Sequence, residues 1–279
     1  MPVIAISRGS LTGASSLAER VASELQIPCI SREIIVEAAH AAGASEKVVA
    51  EQMDRPSSFF ARHSRERDVY LWHVRAALCQ HATEGGFVYH GHGGHLLLSD
   101  IPNLIRVGLV APMKFRIAAV MESRGLDPEA ARKHVLRVDK YRDQWARHLY
   151  GVDWQDSCFH DLVINLETLD VGEACGIVAQ IARFERFAST EESRQKLADI
   201  ALATRVTAEL ARGGELFLGR LELAAKANVL TIGGFARSKE ARNHVRAAAE
   251  RAIGEAELHF DVTLTSDNIS WGFEHAETE

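Results

Sequence analysis

Short apolar runs alternate with stretches of helical periodicity over the first 188 residues. The apolar runs are rich in β-branched residues and predict strands, which we place at 2–6, 27–30, 87–90, 103–111 and 162–165. Between them, apolar residues recur every three or four positions, which predicts helices over 17–25, from Ser31 onward, over 44–54, over 59–83, over 112–121, from Pro128 onward and over 168–187. This alternation predicts a doubly wound parallel α/β sheet.

The pattern changes after the polar stretch 189–193, which we interpret as a boundary. The elements predicted beyond it are a helix through Leu210, strands at 216–223 and 228–233, a helix over 239–253 and a strand over 257–265. Apolar and polar residues alternate in the last strand, as they do in a half-exposed strand. The order helix, strand, strand, helix, strand (αββαβ) predicts a small α+β domain. We therefore predict two domains, residues 1–188 and 195–268.

Composition and charge limit the classes of function. The formal net charge of −6 argues against a broad nucleic-acid footprint, although a phosphate site needs only a few arginines. The four cysteines form no C-x-x-C pair, which favours a reducing compartment with the cysteines as small buried side chains. No apolar stretch approaches the roughly 18 residues of a membrane span, and no secretory leader follows Met1. We therefore expect a cytoplasmic protein without a membrane partner.

The first strand leads into a loop of mostly small residues, 7–16, and then into a helix. Such a strand, loop and helix form a phosphate cradle, because loop N–H groups and the positive helix N-terminus converge on an anion. Against the motif G-x-x-x-x-G-K-[ST] starting at Gly9, Ala14 stands at the second glycine, Ser15 at the lysine and Ser16 at the magnesium hydroxyl. The lysine is missing, and turns of small residues also occur as plain architecture. The loop alone leaves both interpretations open.

Three further features offer side chains for a ligand. Arg32 falls in the first turn of a predicted helix, where a positive charge is unfavourable unless an anion lies nearby. It is therefore either a ligand-binding residue or a solvated surface arginine. The most cationic stretch, 132–147, includes Arg137 and Arg142, which share no clean helical stripe with Arg147. The glycine-rich turn 91–94 favours ligand contact at a strand end. Its neighbouring histidines His90, His92 and His95 lack the cysteine or carboxylate that would complete a metal site.

Taken in order, several stretches resemble the cytidylate kinase-like branch of the P-loop nucleoside monophosphate kinases. The resemblance covers residues 1 to about 188, and its weight lies in the order of the motifs. The motifs are Ile6-Ser7-Arg8 before the loop, Ser31-Arg32-Glu33-Ile34-Ile35, Gly91-His92-Gly93, Val110-Ala111-Pro112-Met113-Lys114-Phe115-Arg116-Ile117, Asp139-Lys140-Tyr141-Arg142, Tyr150-Gly151-Val152-Asp153-Trp154 and Asp161-Leu162-Val163-Ile164-Asn165. The resemblance implies a P-loop NTPase-like sheet.

The resemblance also implies ATP-dependent phosphoryl transfer to a nucleoside monophosphate whose base is a pyrimidine. Its cofactors are then ATP and Mg²⁺, and its partners are nucleotides. In this interpretation the loop 9–16, with Gly9 and Gly13, holds the donor phosphates, and Ser16 lies near Mg²⁺. Arg32 and His92 bind the acceptor nucleotide, while Arg137 and Arg142 close over the transferred group from a lid.

Two departures from the family pattern lead to a second hypothesis. Ser15 stands where these kinases carry lysine or arginine, and His92 stands where they have arginine. Since a cation at the transferring phosphoryl is worth roughly 10³ to 10⁵ in rate, the alternative is a regulatory protein that senses a nucleotide or another phosphorylated ligand. Arg8 is the candidate for the replacement charge. A scaffold without a ligand is the third alternative.

The C-terminal unit is similar to a BON domain, a small αββαβ module associated with binding. The cue is the sequence Asn228-Val229-Leu230-Thr231-Ile232-Gly233-Gly234-Phe235-Ala236, followed by a helix with Glu240 and a closing strand. This resemblance makes the unit a candidate surface for self-association or for a partner.

Overall fold

The computed structural model describes residues 1–8, 13–31, 64–91, 93–153 and 156–265. The helices predicted from Ser31 onward and over 44–54 fall outside these residues. Five parallel strands form the main sheet in the order β2-β3-β1-β4-β5. The strands are β1 (Val3–Arg8), β2 (Cys29–Ile30), β3 (Val88–His90), β4 (Leu104–Val110) and β5 (Leu162–Asn165). The predicted parallel α/β sheet is confirmed, and its order is that of a P-loop-like fold.

Six described helices accompany this sheet. They are α1 (Gly13–Leu25), α2 (Ser64–Glu84), α3 (Gly94–Leu97), α4 (Met113–Arg124), α5 (Pro128–Tyr150) and α6 (Val171–Ala182). The side chain of Asp127 accepts hydrogen bonds at the start of α5, with Pro128 in the first turn. The helix predicted over 168–187 was too long at both ends. A capping box between Asp170 and Glu173 begins α6 at Val171, and a 3₁₀ turn occupies 185–187.

Helices cover the sheet on both faces. Since alternate side chains of a strand point to opposite faces, one strand contributes to both buried clusters. Ile4 and Ile6 of β1 contribute to one buried cluster with α1 and α6. Val3 and Ala5 contribute to the other, with α2 and α3. β1 is therefore buried on both faces, as the continuous apolar run at the start of the chain predicts.

The C-terminal elements occur in the predicted αββαβ order. They are α7 (Glu191–Gly213), β6 (Gly219–Lys226), β7 (Val229–Ala236), α8 (Lys239–Ala252) and β8 (Glu257–Leu264). β7 lies in the middle of a three-stranded sheet, antiparallel to β6 and parallel to β8. The first strand begins at Gly219 rather than 216, because residues 215–217 form a 3₁₀ turn after the helix.

The long helix α7 belongs to both halves of the described chain. Thr190 and Ser193 form a capping box at its start, so the polar stretch 189–193 begins a helix. Ala201 of α7 packs into the cluster beneath α2, whereas Val206 and Leu210 pack into the core of the small sheet. The domain limits 1–188 and 195–268 remain a prediction.

A buried carboxylate of α7 holds the turn between β6 and β7. The two turn residues, Ala227 and Asn228, both have positive φ, at 51° and 63°. Asp199 is 8% exposed, and its oxygens accept hydrogen bonds from both backbone N–H groups and from Gln195. This carboxylate offsets the unfavourable left-handed conformation of an alanine. Across the described parts of the chain, every helix is too short or too polar to cross a membrane.

Candidate functional site

The strands of a parallel sheet end at one edge, and here β1 ends between β3 and β4. Helix α1 begins at Gly13 close to this carboxyl edge. A Cβ atom on Gly13 would lie 2.8 Å from Cδ1 of Leu166, which directly follows β5. Ala14, the next residue, is fully buried. The first turn of α1 thus directs backbone N–H groups, which have no acceptor within the helix, toward the end of the sheet.

The two serines of this first turn have different surroundings. The Ser15 hydroxyl donates a hydrogen bond to Oε1 of Glu19, one turn further along α1, at 3.0 Å. Ser16 is exposed. The side chain at the lysine position of the P-loop motif is therefore turned along its own helix toward a carboxylate. No positive charge enters the cradle from this position.

Helix α5 contacts segments that follow two strands of the main sheet, β4 and β3. At one end of these contacts, Asp139 forms an ion pair with Arg116 in the first turn of α4, which follows β4 (2.5 Å). At the other end, Ala146 packs on Leu96 of α3, which follows β3. Residues 139–146 of α5 thus span from the segment after β4 to the segment after β3, the two strands that flank β1, and we call them the crossing segment.

The two lid arginines take different positions on this helix. Arg142 lies within the crossing and is half-buried. Arg137 lies before it, is exposed, and contacts Nδ1 of His134 through Nη2 at 3.2 Å. Five positions apart, the two side chains leave the helix in directions about 140° apart. Of the pair, the crossing segment contains only Arg142.

An ion pair that the sequence analysis did not single out lies at the same edge. Nζ of Lys114, in the first turn of α4, is 2.7 Å from Oε1 of Glu167, which follows Leu166. The Lys114 side chain is 79% exposed. This places a cation beside the segment that packs on Gly13. Lys114 follows a predicted strand and the proline that starts the next helix. This position was the signal in the sequence that could have identified it.

A serine near the end of β1 and two histidines from later segments form a buried group. The Ser7 side chain contacts Nε2 of His160 at 2.6 Å. Nδ1 of His160 is 3.3 Å from the backbone carbonyl of Asp156, which only accepts, so Nδ1 carries the proton and Nε2 accepts from Ser7. His95 stacks on His160 with 4.6 Å between ring centroids. His95 is 2% exposed, and neither ring nitrogen has a hydrogen-bond partner among the residues that the structure describes.

Burial keeps both rings neutral. It lowers the pKa of His95 to about 3, with smaller contributions from His160 and Arg106. Burial also lowers the pKa of His160, and the Asp156 carbonyl partly opposes that effect. A neutral stacked pair at this place fixes the end of β1 from which the loop begins.

We expect the protein to lose stability in mild acid because of this pair. The unfolded chain binds a proton at His95 near pH 6.5, whereas the folded chain does so only near pH 3. The stabilisation is therefore complete above pH 6.5 and is lost as the pH falls toward 3, by at most about 1.4 kcal/mol per pH unit for this histidine. Urea unfolding between pH 7 and 4.5 measures the slope. His95→Phe keeps the stack and should reduce the slope; an unchanged slope would contradict this assignment.

Several residues named in the sequence analysis lie outside the described part of the chain. These include Gly9, Arg32 and His92, whereas Arg8 is the last residue of β1. Within the described ranges no group of three metal-binding side chains occurs. In the 91–94 turn, a Cβ on Gly91 or Gly94 would lie within 2.4 Å of the buried Tyr89 side chain, so the fold itself requires glycine at these two positions.

Comparison with known proteins agrees with this architecture. The model of the cytidylate kinase-like family matches residues 3–168. Cytidylate kinase of Staphylothermus marinus is 28% identical over 101 residues, 36% of this chain and 56% of that protein. Cytidylate kinase of Methanopyrus kandleri is 29% identical over 92 residues, 33% of this chain and 47% of that protein. The chain thus spans about half the length of these two curated relatives.

A solved structure supports the fold. The crystal structure of an uncharacterized protein from Eubacterium ventriosum superposes with a TM-score of 0.51 and 23% identity, over 64% of this chain and 97% of that one. The sheet order, the helix after β1 and a family match over more than half of the chain agree with one another. This chain belongs to the cytidylate kinase-like family.

Proposed function

We propose that the protein is a nucleoside monophosphate kinase that transfers the γ-phosphoryl group of ATP, with Mg²⁺, to a pyrimidine nucleotide such as CMP. The observation that supports the proposal is the position of Arg142 in the crossing segment of α5, between its contacts with the segments that follow β4 and β3. Family membership and two relatives named cytidylate kinase support the same reaction.

The groups at the edge fit a nucleotide with its magnesium ion. The first turn of α1 offers N–H donors, and Ser16 offers an exposed hydroxyl. Mg²⁺ keeps several waters and takes phosphate oxygens as ligands, so it needs few protein ligands. The single hydroxyl of Ser16 is therefore enough for a magnesium ion held mainly by phosphate oxygens and water. It would not be enough for a metal ion bound by protein ligands alone.

The proposed roles follow from these positions. The backbone of Gly9, Gly13 and Ala14 holds the donor phosphates, and Arg8 supplies the charge that Ser15 does not. Arg32 and His92 bind the acceptor nucleotide, and Arg142 stabilises charge on the transferred group, with Arg137 further along the lid. Bound ATP and Mg²⁺ supply the activated phosphoryl group and its charge neutralisation. The protein's own share is positioning and electrostatic stabilisation.

The direct test is phosphoryl transfer from ATP to CMP, UMP, dCMP, AMP and GMP with Mg²⁺, with ATP and CMP binding measured by calorimetry. Turnover with a pyrimidine nucleotide above the rate without protein is the expected result. Binding of ATP and CMP without turnover would replace the kinase by a sensor. Absence of both binding and turnover would reject both hypotheses and leave a scaffold.

One observation favours the second candidate function, a regulatory protein that binds a nucleotide or another phosphorylated ligand without efficient catalysis. The hydrogen bond from Ser15 to Glu19 takes the side chain at the lysine position toward a negative charge. This position therefore supplies no cation to a transferring phosphoryl group, which lowers the rate of transfer, whereas backbone N–H groups at a helix N-terminus still bind phosphate.

Ser15→Lys combined with Glu19→Ala separates the two candidates. The second substitution removes the carboxylate that would otherwise attract the new ammonium group. For the proposed kinase, we expect kcat to change less than about tenfold, because Arg8 already supplies the charge. A rise of 10³-fold or more would instead assign the natural chain to the sensor class. Glu19→Ala alone is the matched control, and calorimetry with ATP checks that each variant still binds.

For the C-terminal unit, we propose a BON-like domain over residues 195–268, which binds a partner or a second copy of the chain. Its αββαβ element order supports this assignment. We also propose that the protein works in the cytoplasm, where its nucleotide substrates occur. The four cysteines, all free thiols, agree with a reducing compartment.

A further inference from the structure

The strand β8 is the last strand of the small sheet, and within the described chain it pairs with β7 on one side only. An open edge strand presents unpaired backbone N–H and C=O groups, which form a template for a further strand. Natural edges are commonly protected by lysine or proline, and the sequence of β8 contains neither. This edge is therefore suited to pairing with another strand.

The direction of the backbone groups shows which residues would form that pairing. The N–H groups of Glu257 and Thr265 donate to carbonyl groups on the β7 side, those of Asn228 and Ala236. Because backbone groups of successive residues in a strand alternate in direction, the odd-numbered residues of β8 bond to β7. The N–H and C=O groups of the even-numbered residues therefore point to the open side. These residues are Leu258, Phe260, Val262 and Leu264.

The same residues place apolar side chains beside the open edge. Val262 belongs to the core of the small sheet, and Leu258 and Phe260 are half-buried against that core. Leu264 is 45% exposed. Arg246 of α8 lies over the Phe260 ring, with its guanidinium carbon 4.3 Å from the ring centroid. A second apolar row on the open side would cover this one.

The alternate residues of β8 give the other face of the strand a polar, exposed row. It consists of Glu257, His259, Asp261 and Thr263. A second copy of β8, antiparallel and related by a two-fold axis perpendicular to the sheet, would keep the apolar rows together on one face and the polar rows on the other. Such an axis passes beside one residue, which then lies opposite itself. The longest pairings within 257–264 are centred on Phe260 and on Asp261.

Charge selects between these two centres. Centred on Asp261, the pairing would place two aspartates opposite each other, which is unfavourable. Centred on Phe260, it places His259 of each copy opposite the partner's Asp261, so the two contacts are complementary. Leu258 then lies opposite the partner's Val262, and both direct their backbone groups at each other. A like-charge approach remains between the two copies of Arg246, where solvent screens it because this side chain is exposed.

We propose that the C-terminal unit joins two copies of this chain through antiparallel pairing of β8 with β8, centred on Phe260. The two three-stranded sheets would then form one continuous sheet. The inference rests on the proposed binding role of this unit, and it names the surface and the partner. Backbone hydrogen bonds provide the affinity, and the contacts between His259 and Asp261 fix the register. Since the interface is isologous, every contact occurs twice.

Sedimentation velocity of the full chain tests the proposal, and a dimer is the expected result. Asp261→Lys places a lysine opposite His259 at two positions and should weaken dimerisation at least about tenfold. His259→Glu combined with Asp261→Lys restores opposite charges and should recover the dimer. Glu222→Lys is the matched control. Glu222 is exposed and in register with Asp261 through Gly233, but it lies on β6, so this variant should dimerise like the natural chain.

A covalent link tests the register. Residues that lie opposite each other without mutual hydrogen bonds have Cα atoms about 4.5 Å apart, which a disulfide can span. We therefore expect His259→Cys combined with Asp261→Cys to give a covalent dimer on oxidation. Cys158→Ser in the same chain removes the exposed natural thiol. Peptide mass spectrometry should find residue 259 of one copy bonded to residue 261 of the other, and links between other positions would contradict this register.

Three results would overturn the proposal. The first is a chain that stays monomeric at roughly 0.1 mM, which would leave the unit without self-association. The second is a dimer that Asp261→Lys leaves intact, which would keep self-association but place it on another surface. The third is a monomer that dimerises only when residues 266–279 are removed, which would assign the edge to the chain's own C-terminal segment. Arg142→Ala should keep the dimer, so failure of the kinase proposal leaves this one testable.

Discussion

Replacing Arg142 by alanine is expected to reduce kcat for phosphoryl transfer about 10³-fold or more. Arg142 lies in the crossing segment of α5, between the Arg116–Asp139 ion pair and the contact of Ala146 with Leu96. In the proposed reaction, a guanidinium on this segment stabilises the charge that develops on the transferred group, and alanine removes it without a substitute. Steady-state rates with ATP and the preferred monophosphate measure the effect.

Arg137→Ala is the matched control on the same helix. Arg137 is exposed and lies before the crossing, so its removal should lower kcat by less than about tenfold. Arg142→Lys keeps a charge and should recover part of the lost rate. Equal losses for the two alanine variants would contradict the assignment of Arg142 to the crossing. Circular dichroism and ATP binding establish that each variant is folded.

Gly234→Ala is expected to destabilise the small sheet by about 3 to 5 kcal/mol, through backbone strain and overpacking together. Gly234 has φ of +105°, which side chains rarely adopt, and a Cβ there would lie 2.1 Å from the backbone carbonyl oxygen of Arg220. Both atoms belong to paired strands, so neither moves without breaking the β6–β7 ladder. Urea unfolding followed by circular dichroism measures the loss.

The neighbouring Gly233 provides a close control. A Cβ on Gly233 would meet no atom within 4 Å, and its φ is not in the left-handed region. Gly233→Ala should therefore be neutral or stabilise by up to about 1 kcal/mol, since alanine reduces the freedom of the unfolded chain. Similar free energies of unfolding for both variants would disprove the close approach of β6 at Gly234.

Local pattern was sufficient for the elements and the fold class. β1 was predictable because a strand buried on both faces reads as a continuous apolar run, and α5 because Asp127 and Pro128 mark its first turn. The ends of elements were harder to predict. The polar stretch 189–193 suggested a boundary, although capping residues at a helix start have the same composition.

The sequence by itself determined the parallel α/β architecture, the αββαβ unit and a loop that could hold phosphate, since these depend on periodicity and on residue types close together in the chain. Only the tertiary structure decided which side chains meet. It placed Arg142 rather than Arg137 in the crossing segment of α5, stacked His95 on His160, and left a cavity between α2 and β6. These neighbours come from elements far apart in the chain, and their meeting depends on how packed helices cross, which no local pattern encodes.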